Sequence, residues 1–161
     1  MTLAIRPATP ADLPLIAQFI RDLADYEKLA HEVRFDEAVL GDRLFGARPY
    51  AEVLIGEIDG APQGFALFFH NFSTFEGKPG IYLEDLFVRP SFRGKGIGKA
   101  LLSHLAKECV RNNWSRLQWS VLDWNTPSIE FYRSLGAVML DEWTVCRLNG
   151  PALTALAKAA P

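Results

Sequence analysis

Apolar residues recur along the chain with two periods, and the switches between them mark the predicted elements. Residues 2–7 alternate enough for a first strand. Thr9-Pro10-Ala11-Asp12 then has the chemistry of a helix start: Thr9 can cap, Pro10 suits the first turn, and Asp12 stands at the capping-box position. Leu13, Ile16, Ile20, Leu23 and Ala24 follow at helical spacing and make one face apolar. A second short helix is predicted over 35–45. Two strands are predicted near 51–59 and 63–72, with Asp59-Gly60 between them as a hairpin signal. Residues 80–88, GIYLEDLFV, form a third strong strand whose apolar run is broken by Glu84 and Asp85. Strand alternation puts those two carboxylates on opposite faces.

Ile97, Leu101, Leu102, Leu105, Cys109 and Val110 trace a helical stripe. A strand over 116–122 carries Leu117, Trp119 and Val121 on one face, Thr126-Pro127 opens another helix, and Gly136 closes it. A last strand pair is predicted at about 137–148, followed by a short helix from Pro151. This order describes an α/β chain around a mixed sheet, read as one domain over 1–161, with crossovers through the helices at 97–112 and 127–135.

The most informative stretch joins the third strand to the helix after it: FVRPSFRGKGIGKAL, residues 87–101. Backbone N–H groups at a helix start are unpaired and the helix dipole is positive there. Glycines at 94, 96 and 98 let an anion approach that backbone, and Arg93 and Lys95 add positive charge. A P-loop needs four residues between its first glycine and Gly-Lys, then Ser or Thr; here three separate Gly94 from Gly98-Lys99, and Ala100 follows. A dinucleotide fingerprint fails at its last glycine, where Lys99 stands. The remaining pattern, R-x-x-G-x-G at Arg93, Gly96 and Gly98, resembles the acetyl-CoA pyrophosphate loop of the GNAT superfamily of N-acetyltransferases.

More of the chain carries this resemblance. IRPAT near the start, LADYE at 23–27, YLEDLFV, RGKGIG, and DWNTPSIEFYRSLGA at 123–137 occur in order and are similar to the spermidine/spermine (diamine) branch, whose close relatives include thialysine acetyltransferases. The resemblance implies the GNAT fold, in which two central parallel strands of a mixed sheet splay apart and admit the acetyl-pantetheine arm. It implies acetyl-CoA contacts at Leu86, Phe87 and Val88, at the loop Arg93, Gly94, Lys95, Gly96, Ile97, Gly98 and Lys99, and at Asn125, Ser128 and Tyr132. It implies an oxyanion donor at a backbone N–H near Val88, amine binding by Tyr26, Glu27, Glu84 and Asp85, and a homodimer.

The chemistry asks for such residues. A free alkylamine with a pKa of about 10 is protonated at neutral pH, so the enzyme must bind a cation and remove a proton. Glu84, a carboxylate interrupting an apolar strand, is the leading candidate for that work, since burying an unpartnered carboxylate is costly. Tyr132 lies four residues after Ser128 on one helix face, and a phenol is a fair acid for a departing thiolate. Each also has a plain structural reading: Asp85 as a surface carboxylate, Tyr132 as a tyrosine packed on the core, and Tyr26 and Glu27 as part of a polar helix end.

Composition narrows the partners. With 49% hydrophobic residues and a formal net charge of -2, nothing draws the chain to nucleic acid or an anionic membrane. The N-terminus lacks the pattern of a signal peptide, and Cys109 and Cys146 form no CxxC pair near the three scattered histidines, so no metal site is expected. A cytoplasmic enzyme without a metal is expected, using acetyl-CoA as co-substrate and acting on a small-molecule amine in a ternary complex. A peptide or protein acetyltransferase, and a catalytically silent acetyl-CoA-binding module, are the competing expectations.

Overall fold

Five strands lie across one sheet in the same order as in the chain: β1 (Leu3–Pro7), β2 (Glu52–Ile58), β3 (Ala61–Ser73), β4 (Lys78–Val88) and β5 (Leu117–Trp119). The computed structural model describes residues 1–159. It divides into two compact units, Met1–Leu122 and Asp123–Pro161.

In the N-terminal unit, β1 to β4 pair antiparallel and only β4–β5 is parallel. Asp59 and Gly60, both at positive φ, make the tight turn between β2 and β3 that the hairpin signal predicts. The parallel step crosses over through α3 (Ile97–Arg111). The period-two pattern of β2 and β3 serves two faces. Val53, Ile55, Phe65 and Leu67, with Phe87 of β4, pack against Ile16, Phe19 and Leu23 of α1 (Leu13–Tyr26) and Leu44 of α2 (Glu37–Phe45). Phe19 stacks on Phe65 with ring centroids 5.3 Å apart. The opposite face receives α3, which buries Ile97, Leu101, Leu102, Leu105 and Cys109. Arg6 ties β1 to its surroundings, donating to Asp12 at 2.8 and 2.9 Å and to Glu57 at 2.7 Å; this guanidinium holds the Asp12 carboxyl well below the usual range.

The first turn of α3 reaches the sheet because two glycines give it room. A Cβ at Gly56 would stand 2.7 Å from Ile97 Cγ2, and one at Gly64 would stand 2.7 Å from the Phe87 carbonyl oxygen. The obstacle at Gly64 is backbone and cannot rotate away. Gly64→Ala is therefore expected to destabilise the fold by about 1–3 kcal/mol, as overpacked sites do, measured as a lower urea midpoint at unchanged slope. Wild-type stability in that variant would show that β3 and β4 separate freely.

In the C-terminal unit, Asn125 Oδ1 accepts from the Ser128 N–H at 3.4 Å and caps α4 (Thr126–Ser134), with Pro127 in its first turn. Gly136, at φ +89, ends it, as read from the sequence. α5 (Gly150–Lys158) follows.

The strand pair expected at about 137–148 does not form: the segment is irregular and leaves Val138, Leu140, Trp143, Val145 and Leu148 exposed. Alternation prescribes a strand only where a neighbour accepts its backbone hydrogen bonds, and this segment has no partner strand among the described residues. The second crossover, through 127–135, consequently leads into no strand. β5 also stops at Trp119, short of the 116–122 expected.

Candidate active site

β4 leads through a short 3-10 turn at Pro90–Phe92 into the glycine loop and α3. Gly94 and Gly96 sit at φ +75 and +87, a region that L side chains rarely adopt. A Cβ at Gly94 would meet nothing within 4 Å, and one at Gly96 only Leu3 Cδ2 at 4.0 Å. Gly96 is the N-cap of α3, and no side chain caps that helix start. The loop therefore forms an open cradle of main-chain amides at the positive end of a helix, which fits a diphosphate. Arg93 is exposed but tethered. Its Nε donates to the Val88 carbonyl at 3.0 Å, and its guanidinium lies 4.3 Å from the Tyr26 ring centroid, bracing the loop against the end of α1. The Lys95 ammonium lies 4.4 Å from the centre of Phe92.

Beside the cradle the sheet opens. β5 pairs with β4 only at Ile81–Leu83, whereas β4 continues to Val88. On its β5 side, the backbone of Leu86, Phe87 and Val88 is left to pair with something other than a strand. The Phe87 side chain belongs to the core, its ring 6.1 Å from Phe19, so this residue offers only its main chain.

One irregularity in β4 builds the other half of the site. Leu67 pairs with Asp85 and Phe68 with Leu83, which leaves Glu84 as the extra residue of a β-bulge. Strict alternation would send Glu84 and Asp85 to opposite faces. The bulge instead turns both toward one cavity of about 440 Å³, correcting the expectation from sequence. Ile20, Leu23 and Ala24 of α1, with Glu27 just past its end, form one wall, and Leu29, Glu32, Val33, Arg34 and Phe35 form another. Glu84 is exposed at the surface and Asp85 is partly buried. Burial pushes the Asp85 carboxyl up to about 7, and the neighbouring negative charges of Glu84 and Glu27 add to this. Burial raises Glu27 as well.

Of the residues read from the sequence, Glu27, Glu84 and Asp85 thus share one cavity, and Tyr26 packs on Arg93 instead of lining it. Gly94 to Lys99 form the cradle and α3's first turn. Asn125, Ser128 and Tyr132 belong to the C-terminal unit, where Ser128 and Tyr132 stand one turn apart on α4. Glu32 and Arg34 were missed. They sit at and just after a short 3-10 turn, Ala30–Glu32, in a stretch with no periodicity, and the only sequence signal was a cluster of charges, HEVRFDE, a few residues after Glu27. Among the described residues no cluster of His, Cys, Asp and Glu is placed to hold a metal, and no helix is long and apolar enough to cross a membrane.

Residues 17–137 match the acetyltransferase (GNAT) family. The chain belongs to that family. This acetyltransferase is 38% identical to a thialysine N-epsilon-acetyltransferase of Bos taurus, over 95% of this chain and 96% of the relative. It is 33% identical to an L-ornithine N5-acetyltransferase of Arabidopsis thaliana, over 96% of this chain and 87% of that one. An integron cassette protein from the mobile metagenome of V. cholerae superposes with a TM-score of 0.81 at 30% identity, covering 98% of the acetyltransferase and 99% of that chain. The five-stranded mixed sheet with its short parallel pair is the GNAT fold inferred from the motifs. The enzyme is an acetyl-CoA-dependent N-acetyltransferase, with acetyl-CoA as its acyl donor.

Proposed function

We propose that this enzyme transfers acetyl from acetyl-CoA to a primary amine of a small molecule (a polyamine, a diamine or a lysine-like amino acid) by direct attack in a ternary complex. The observation that carries the reading is the cavity on the bulged strand. Glu27, Glu84 and Asp85 converge there against an apolar wall, and Asp85 is held where its charge is unfavourable unless a cation arrives. The names of the bovine and Arabidopsis relatives, both enzymes of small amino-acid amines, support it.

In this reading the loop amides at Gly94–Lys99 and the main chain of Leu86–Val88 hold the cofactor. An ammonium group binds between Asp85 and Glu27. Exposed Glu84 takes its proton and passes it to water, leaving a neutral amine that attacks the thioester carbonyl. The C–N bond forms as the C–S bond breaks. A backbone N–H near Val88 bears the oxyanion, and Tyr132 returns a proton to the departing thiolate. Asn125 and Ser128 contribute to cofactor binding, and Tyr26 to the acceptor side through Arg93. Residues 1–161 are read as one domain, a reading supported by a family match over 17–137 that passes from the first unit into the second. The enzyme is read as a homodimer, for which the exposed apolar side chains at 138–148 supply contact surface. It is read as cytoplasmic, where a reducing environment suits the exposed thiol of Cys146.

An acceptor screen with acetyl-CoA tests the function, reading thiol release for polyamines, diamines, thialysine, lysine, aminoglycosides and short peptides. Small amines are expected to give the highest kcat/KM. Peptides as the best acceptors would favour a protein acetyltransferase. Cofactor binding without transfer to any amine would favour a silent module.

A further inference from the structure

The cavity wall contains one cation. Arg34 shares the cavity with Glu27, Glu32, Glu84 and Asp85. Arg6, Arg21, Arg43 and Arg111 each hold a carboxylate within ion-pair distance. Arg34 makes no ion pair or hydrogen bond among the described residues, despite the four carboxylates around the same space. Arg34 is exposed, as are Glu32 and Glu84, whereas Glu27 and Asp85 are partly buried. Glu32, two residues away, leans toward His31 Nε2 at 3.5 Å.

A polyamine carries only positive charge; the four carboxylates attract it, but the guanidinium repels the ammonium nearest to it and offers it no partner. An amino acid with a terminal amine presents ammonium to the acidic end and a carboxylate to the rim. The guanidinium fork matches that carboxylate in a bidentate, charge-assisted pair. The cavity, at about 440 Å³, has room for an extended molecule of lysine size. We propose that Arg34 is the specificity-determining residue of the acceptor site, selecting amines that carry a carboxylate at the far end over diamines and polyamines. This rests on the small-amine function proposed above.

The test uses matched acceptors that differ only by the carboxylate: ornithine against putrescine, and lysine against cadaverine. The wild type is expected to favour the amino acid of each pair. Arg34→Ala is expected to lower kcat/KM for the amino acids about tenfold, through KM and with kcat retained, while the diamines hold level or improve. Arg34→Lys, which keeps the charge and loses the fork, should fall between. Equal losses for both members of a pair, or a wild type that prefers the diamine, would overturn the role of Arg34 and leave the small-amine function standing. A wild type that acetylates none of the four would overturn the role of Arg34, and inactivity on polyamines and thialysine as well would overturn the small-amine function itself.

Discussion

Asp85→Asn is expected to lower kcat/KM for amine acceptors by about 10²–10³, and at the same time to make the folded protein more stable at alkaline pH. Both effects follow from a carboxyl displaced from its ordinary 3.8 to about 7 by burial and by Glu84 and Glu27. With the cavity empty at neutral pH, Asp85 is about half charged. A cationic acceptor relieves the repulsion, so binding draws the group toward its ionised form. Asparagine keeps the shape and offers no charge to the ammonium.

The sign of the stability effect is fixed by linkage. Between pH 3.8 and about 7 the folded protein holds a proton on Asp85 that the unfolded chain has released, so wild-type stability falls as pH rises through that window. At pH 8 the full displacement amounts to about 4 kcal/mol, and partial solvent access reduces it to about 2–4 kcal/mol. The variant lacks this loss. Urea midpoints at pH 5 and pH 8 measure it: the wild type should weaken between them and Asp85→Asn should not. The acceptor kcat/KM of the wild type should also rise with pH through about 7, a limb absent in the variant. Parallel stability profiles with undiminished kcat/KM would remove Asp85 from the site.

The second large effect concerns the cradle. Gly96→Val forces a β-branched residue into φ +87 at the start of α3 and places its methyl groups where only Leu3 Cδ2 comes near. The strain destabilises the fold by about 1–2 kcal/mol or more. The side chain also fills the space in front of the helix amides, so acetyl-CoA affinity should fall about 100-fold, since a direct steric and electrostatic site is lost. Gly60→Val is the matched control. Gly60 has φ +78, a Cβ there would meet nothing within 4 Å, and it lies in the β2–β3 turn. It should show a similar stability loss with normal acetyl-CoA affinity. Calorimetric titration of CoA against both variants separates the two effects, and equal affinities would show that the loop does not hold the diphosphate.

Much of this molecule was legible in the order of its residues. The amphipathic stripes of α1 and α3, the Asp59-Gly60 turn, the helix start at Thr126-Pro127 and the strand–glycine–helix passage at 87–101 are local: each depends on neighbours within a few positions, where propensity and dihedral limits act directly. The family followed from that local chemistry, because R-x-x-G-x-G specifies main-chain geometry rather than side-chain partners. The failed strand pair at 137–148 marks the limit of the same logic, since alternation describes a face and says nothing of whether a neighbour exists to complete the ladder.

The acceptor site was decided by tertiary structure. That Glu84 and Asp85 face the same way depends on a one-residue slip against Leu67 and Phe68, a register that pairing with β3 sets and that no period along β4 encodes. Arg34 and Glu32 enter the cavity because the segment after α1 folds back beside the bulge. Sequence alone supplied the acids and the base; packing chose which of them meet around one space, because burial and charge coupling exist only between groups that the fold brings together.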